Sequence, residues 1–443
     1  MPARFFRSPA LRAGIATGLL ALASVSNGTP SVPPRHQGVA TCASTTCHGA
    51  ARPLAGTAVQ QNEYVTWSEF DPHAGAFRTL RDERSTVIAR RLGLGAADQA
   101  PACLACHSEV VATAQRGPKF QQDDGIGCEA CHGAAEDWLA GHDDRTPGAR
   151  ADSLRSGLRP LHEPAVRAGV CTACHVGSHD RLATHAMLAA GHPRLSFELD
   201  TFSELWRTSG GREHFRRDSA YAARKPAVAS TQVWLTGLVQ ASLASVDQLP
   251  AAVGRSGLPE FAAFNCYSCH RNMGRSSSDA SPVLVSGDLP GTLRLNDSAP
   301  RLLATALAAQ DPQRAAGVVR GLRELQRAAN EDRLAVAPAA AALHSSLESL
   351  GRTLARAPIS AAERHAMLTA VLRASAAGAY PDYASAEQAA MAVVVLLADA
   401  DGNTRRAADL DALFAALDDD AAFDQRRFAR MLGRLGEIAK PRK

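Results

Sequence analysis

Ten cysteines and fifteen histidines hold most of the reactive chemistry in this 443-residue chain. The cysteines fall into five close pairs, and a histidine follows the second member of each pair. The pairs are Cys42 and Cys47 before His48, Cys103 and Cys106 before His107, and Cys128 and Cys131 before His132. Cys171 and Cys174 before His175, and Cys266 and Cys269 before His270, complete the set and leave no cysteine over. Two thiols about one helical turn apart can add across the two vinyl groups of a porphyrin. The next residue then offers an imidazole to the iron. The first pair has two residues more between its thiols, which can bulge without moving either sulfur. Five disulfides would not require a histidine after every second cysteine, and neither would tetrahedral zinc sites. The pattern predicts five covalently attached haems c.

The second axial ligand separates an electron carrier from a catalyst. An iron closed by two imidazoles is saturated and passes electrons with little rearrangement, whereas an open face can bind a small molecule. His185 and His192 stand seven residues apart in a stretch of helix-forming composition that Pro193 should end. Nearly two turns put both on one face with a rise of roughly 10 Å, a spacing suited to two neighbouring irons. His142, ten residues beyond His132, should reach an iron other than that of its own motif, and His73 is a further candidate. His214, in the long gap before the last motif, is the fifth choice. His36, His162, His179, His344 and His365 read as ordinary solvated, loop or helix residues.

Several segments are similar to the cytochrome c-554 family of multihaem cytochromes. They are Gly127-Cys128-Glu129-Ala130-Cys131-His132-Gly133, Asp71-Pro72-His73-Ala74 and Ala189-Ala190-Gly191-His192-Pro193-Arg194-Leu195, and the order of the first four motifs is similar too. The similarity spans roughly residues 38 to 272. It implies that His73 closes the haem on Cys128 and Cys131, and that His142 closes the haem on Cys42 and Cys47. It also implies that the second haem, here on Cys103 and Cys106, keeps an open face. This chain differs from the tetrahaem pattern in its fifth motif and in the His185 and His192 pair. Arg271 stands where larger relatives carry another histidine.

These sites must be positioned by a mainly α chain. Residues 1–23 have a basic start at Arg4, Arg7 and Arg12, then a short apolar run ending in Ala21-Leu22-Ala23, the pattern of a cleaved export signal. The run falls short of the ~20 residues that span a bilayer. A periplasmic or otherwise exported protein with no integral membrane span after cleavage is expected. Residues 24–40 should be extended, and 41–272 should form a pentahaem cytochrome domain with little regular sheet. Residues 273–299 should be a linker, and 300–443 an Ala-rich, all-α bundle. Helical periodicity marks 231–249 and then 301–309, 311–330, 338–357, 360–377, 385–398, 407–417 and 424–439.

Composition narrows the functions. The net charge of +4 gives no field for nucleic acid, and 46% apolar residues rule out a disordered chain. Aromatics make up only 5%, so porphyrins packed on one another should replace much of the core around the motifs. With five haems the mature chain becomes acidic, which suits other redox proteins as partners, either cytochromes or a quinol-linked complex. The histidines outside the motifs suffice to close every iron, which favours an electron carrier. The alternative is a multihaem reductase acting on a small nitrogen compound at one five-coordinate haem.

Overall fold

A computed structural model describes residues 33–438, apart from 56–58, 145, 210, 216–217, 226–227, 255–256, 271–291, 357, 402–406 and 421. The expected export signal, most of the extended segment and most of the 273–299 linker lie outside the described residues. Pro34–Lys443 forms one compact unit. Among the described residues the regular structure is helical, with isolated β-bridges such as His36 to Arg116 and Phe264 to Leu295 in place of a sheet. No described helix is long and apolar enough to cross a membrane.

The Ser230–Asp247 helix is the hub. Apolar residues lie on every side of it, so it can be stable only when enclosed. Trp234, Leu235, Leu238 and Val239 are at most 1% exposed. It packs on the Pro164–His175 and Leu199–Thr208 helices toward the motifs. Toward the C-terminus it meets the Ser298–Leu307, Val336–Leu354 and Tyr383–Asp401 helices. Small residues permit the close crossings: a Cβ on Gly237 would lie 3.1 Å from Leu199 Cβ, and one on Gly351 would lie 3.0 Å from Val239 Cγ1. The main hydrophobic core runs from Trp234 through Leu435, across the expected 273–299 boundary.

Local signals account for the C-terminal helix ends. Asp311 caps the Pro312–Glu331 helix by accepting from Arg314 N, and Pro312 occupies the first turn, where its missing N–H costs nothing. Val318, Leu322, Leu325 and Ala329 then recur at helical spacing on the buried face. Ser360 and Glu363 form a reciprocal capping box at the start of the Ala361–Ala376 helix.

The motif region is built differently. Helices here are short and several end on a motif histidine, as in Pro101–His107, Cys128–His132 and Pro164–His175. Its apolar clusters are small: one is Phe77, Leu80, Ala89, Ala97 and Leu104, and another is Ala168, Leu199 and Val233. Elsewhere the region is pinned by polar staples. Buried Glu129, between the thiols of the third motif, accepts from Gln37 N, Gly38 N and Ala135 N at 2.7 to 2.8 Å. This carboxylate fastens the approach to the first motif onto the third. Gly38 sits at φ 86°, with space for a Cβ blocked by the Lys119 carbonyl.

A buried ionic cluster closes the C-terminal side. Arg294 lies 2.8 Å from Asp297 and 3.1 Å from Asp382, and Arg301 also pairs with Asp297. Burial alone would raise the Asp297 carboxyl, but the two guanidiniums outweigh it and hold the pKa below its ordinary value. The stability this gives is complete above the unfolded carboxylate pKa and is lost as pH falls through the lower folded one. Asp297→Asn should therefore cost about 3 kcal/mol at neutral pH. Its deficit relative to wild type should shrink below about pH 4, as denaturant titrations across pH would measure.

Candidate functional site

The structure sets eight of the histidines ring against ring in four pairs. His48 lies 6.0 Å from His142, and His107 lies 6.4 Å from His192, centroid to centroid. His73 is 5.9 Å from His175, and His185 is 6.1 Å from His270. A metal held on both sides by imidazole nitrogens at about 2 Å puts ring centroids roughly 6 Å apart. All four separations match that requirement. Each pair also joins one motif histidine to one histidine from outside the motifs.

Hydrogen bonds orient these rings. His48 Nδ1 lies 2.8 Å from Glu63 Oε2, and His73 Nδ1 lies 2.8 Å from Asp71 Oδ1. His107 Nδ1 meets the Ala76 carbonyl at 3.0 Å, His142 Nδ1 meets that of Leu139 at 2.6 Å, and His192 Nδ1 meets that of Pro193 at 2.8 Å. These oxygens accept, so Nδ1 carries the proton and Nε2 keeps the lone pair that a metal needs. His175 is oriented by packing instead: Phe197 stacks on it at 4.8 Å. Gln388 donates to the Phe197 carbonyl and Arg194 pairs with Glu387 at 2.9 Å, so the Tyr383–Asp401 helix holds this stretch in place.

The electrostatics follow from these contacts. The hydrogen bond to Glu63 raises the His48 pKa, and the one to Asp71 raises that of His73. Burial lowers His107 and His175. Burial, and then the positive charges of His214, His48, Lys225 and Arg159, push His132 down to about 4, so its ring is neutral at physiological pH. Asp71 resists its own burial. Hydrogen bonds from His214 and His73 hold it well below the usual carboxylate range.

Thiols of different motifs meet. Cys42 hydrogen-bonds Cys128, and Cys106 hydrogen-bonds Cys174. The bond from the neighbour holds Cys42 below its ordinary pKa and brings Cys174 to about 6, while Cys128 and Cys106 are pushed up. Burial lifts Cys131 to about 12 and Cys171 to about 11, and each of these two lies within the electrostatic reach of another motif's groups. All ten cysteines are free of disulfides. Among the described residues no three His, Cys, Asp or Glu side chains converge on a metal-ion site, so these cysteines are not gathered as zinc ligands.

Three details differ from the sequence expectations. The His185–Ala190 helix stops at Gly191, which takes φ 113° and sends its N–H back to Leu188 and Met187. His192 therefore leaves the helix instead of sharing a face with His185, although the two still serve different partners. Arg84 donates to the Gly191 carbonyl and Arg91 to that of Ala190, which brings His192 to His107. The second motif thus has a facing imidazole, where the family resemblance implied an open face. His73, carried on the Pro72–Gly75 turn that Asp71 caps, faces His175 of the fourth motif, not His132 of the third.

His214 is the candidate that the structure does not set against a motif ring. Its Nε2 lies 3.4 Å from Asp71 Oδ2. Glu63, Asp71, Glu129 and Phe197 are the supporting residues absent from the sequence reading. Asp71 alone had a local signal, two residues before His73; the others depend on contacts made far along the chain.

The family model described as cytochrome c554 and c-prime matches residues 41–133. No curated protein sequence and no solved structure matches the chain.

The ring planes divide the pairs into two kinds. His107 with His192 and His73 with His175 stand at 89° and 86°, whereas His48 with His142 and His185 with His270 stand at 30° and 28°. Perpendicular imidazoles leave the iron d orbitals nearly degenerate, and parallel ones split them. The oxidised holoprotein should show strongly anisotropic and ordinary rhombic low-spin signals in equal amounts by electron paramagnetic resonance. Glu129→Ala should cost about 3 kcal/mol, because it leaves buried backbone N–H groups unpaired, and thermal unfolding of the holoprotein would measure that loss.

Proposed function

We propose that this c-type cytochrome, whose residues 41–133 belong to the cytochrome c554 and c-prime family, is an exported five-haem electron-transfer protein. The observation that carries the reading is the set of four imidazole pairs 5.9 to 6.4 Å apart, each including one motif histidine. In this reading Cys42, Cys47, Cys103, Cys106, Cys128, Cys131, Cys171, Cys174, Cys266 and Cys269 are the thioether attachment points. His48, His107, His132, His175 and His270 are the proximal ligands, and His142, His192, His73 and His185 close four of the irons. Haem c, when bound, supplies a one-electron iron centre.

The chain's own residues keep reorganisation small. Glu63 and Asp71, with the carbonyls of Ala76, Leu139 and Pro193, fix five rings through Nδ1, so an imidazole need not turn when charge changes. The thiol contacts support a continuous route, because they join the first motif to the third and the second to the fourth. The third and fourth are adjacent through Cys131 and Cys171. The segment from His185 to His192 links the fifth motif to the second, since its two histidines face His270 and His107. The motifs then follow one another as first, third, fourth, second and fifth. Other redox proteins, cytochromes or a quinol-linked complex, are the partners of such a carrier.

Mass spectrometry of the mature protein tests this reading. The expected mass is the polypeptide from Ser24 plus five haem groups, falling to four in a Cys42→Ala/Cys47→Ala variant. A wild-type mass with fewer than five would refute it.

A further inference from the structure

The third motif is set apart from the other four. All fifteen histidines are among the described residues, so the search for a ring facing His132 is complete. Eight of them are committed to the four pairs. His36 is held against Glu109, His344 lies 3.3 Å from Asp247, and His179 is beside Asp180. His365 lies on the Ala361–Ala376 helix. His162 has its Nδ1 buried without a hydrogen-bond partner. None of these makes a ring contact with His132.

His214 comes nearest in charge, as its effect on His132 shows. Yet its Nε2 is directed to Asp71 Oδ2 at 3.4 Å. Nε2 is the nitrogen that the five Nδ1-anchored rings keep for metal. The other oxygen of Asp71 holds His73, the ring facing His175. One carboxylate thus keeps His214 beside the third motif and away from the role of a ligand. His214, Lys225 and Arg159 all bring positive charge to the surroundings of His132.

We propose that the iron position opposite His132 is exchangeable and takes a small anion, which makes the haem on Cys128 and Cys131 the ligand-binding haem of this protein. This rests on the five-haem reading above. It places the open position at the third motif, and the structure's pairing of His107 with His192 removes it from the second. His214 is a positioning residue here: it would hold the bound anion by a hydrogen bond while Asp71 sets its ring.

The test counts exchangeable sites in holoprotein whose mass already shows five haems, so that a failure of the haem count is told apart from a failure of this proposal. Carbon monoxide is titrated into the reduced protein, and azide into the oxidised one. One carbon monoxide per chain is expected, with a high-spin ferric signal from one iron in five before any ligand is added. His192→Ala should raise the count to two, because it opens the second motif as well. His214→Ala should keep one carbon monoxide but weaken azide about tenfold and shift the bound carbon monoxide stretch.

A wild type that takes no carbon monoxide, while His214→Ala takes one, would make His214 the sixth ligand and overturn the proposal. A count that stays at one in His192→Ala would move the open position to the second motif and overturn it equally. Uptake of carbon monoxide without any azide binding would refute the choice of an anion. The resting high-spin signal needs no variant, so its absence also overturns the proposal if either substitution prevents folding.

Discussion

Metal coordination by two imidazoles imposes a distance that little else in a protein would produce four times over. Side-chain rings in an apolar core approach at many separations and angles. Here four pairs cluster within half an ångström of one another, and each joins a motif histidine to one far away in sequence. The rest of the motif region can be understood as the means of meeting that distance. Short helices end on the motif histidines because each needs its ring presented at a helix end. Polar anchors, not close packing, then set the ring orientations, since the polypeptide supplies few apolar contacts there.

The same economy explains why carboxylates recur beside the motifs. Glu63 and Asp71 each fix an imidazole, and Glu129 ties the approach to the first motif onto the third. A buried carboxylate that accepts several backbone N–H bonds is costly to remove and narrow in the geometries it accepts. Such groups can hold the attachment points of two motifs in contact before any larger body fills the space between them. The Cys42 with Cys128 and Cys106 with Cys174 contacts are of that kind.

The C-terminal third participates in this arrangement. Its helices share a core with the Ser230–Asp247 helix, which in turn packs on the helix that ends in His175. Glu387 and Gln388 reach Arg194 and the Phe197 carbonyl, so the Tyr383–Asp401 helix steadies the ring stacked on His175. A boundary at 273–299 read from Ser, Pro and Gly content describes composition, but burial is decided by which apolar faces meet.

Sequence by itself determined the helical class and the helix positions of the C-terminal region, because 3.6-residue periodicity and caps are local properties. The expected 311–330 and 360–377 helices appear as Pro312–Glu331 and Ala361–Ala376. It also determined the attachment motifs, since two thiols and a following imidazole act within one turn of chain. Only the tertiary structure decided which distant histidine faces which motif. His73 shows why: nothing within its own segment distinguishes His132 from His175, and the choice rests on Asp71 and on the helix that carries His175. His192 depends likewise on Arg84 and Arg91, a hundred residues away, gripping the carbonyls where Gly191 ends its helix. Pairing is a long-range property, and spacing along the chain carries no record of it.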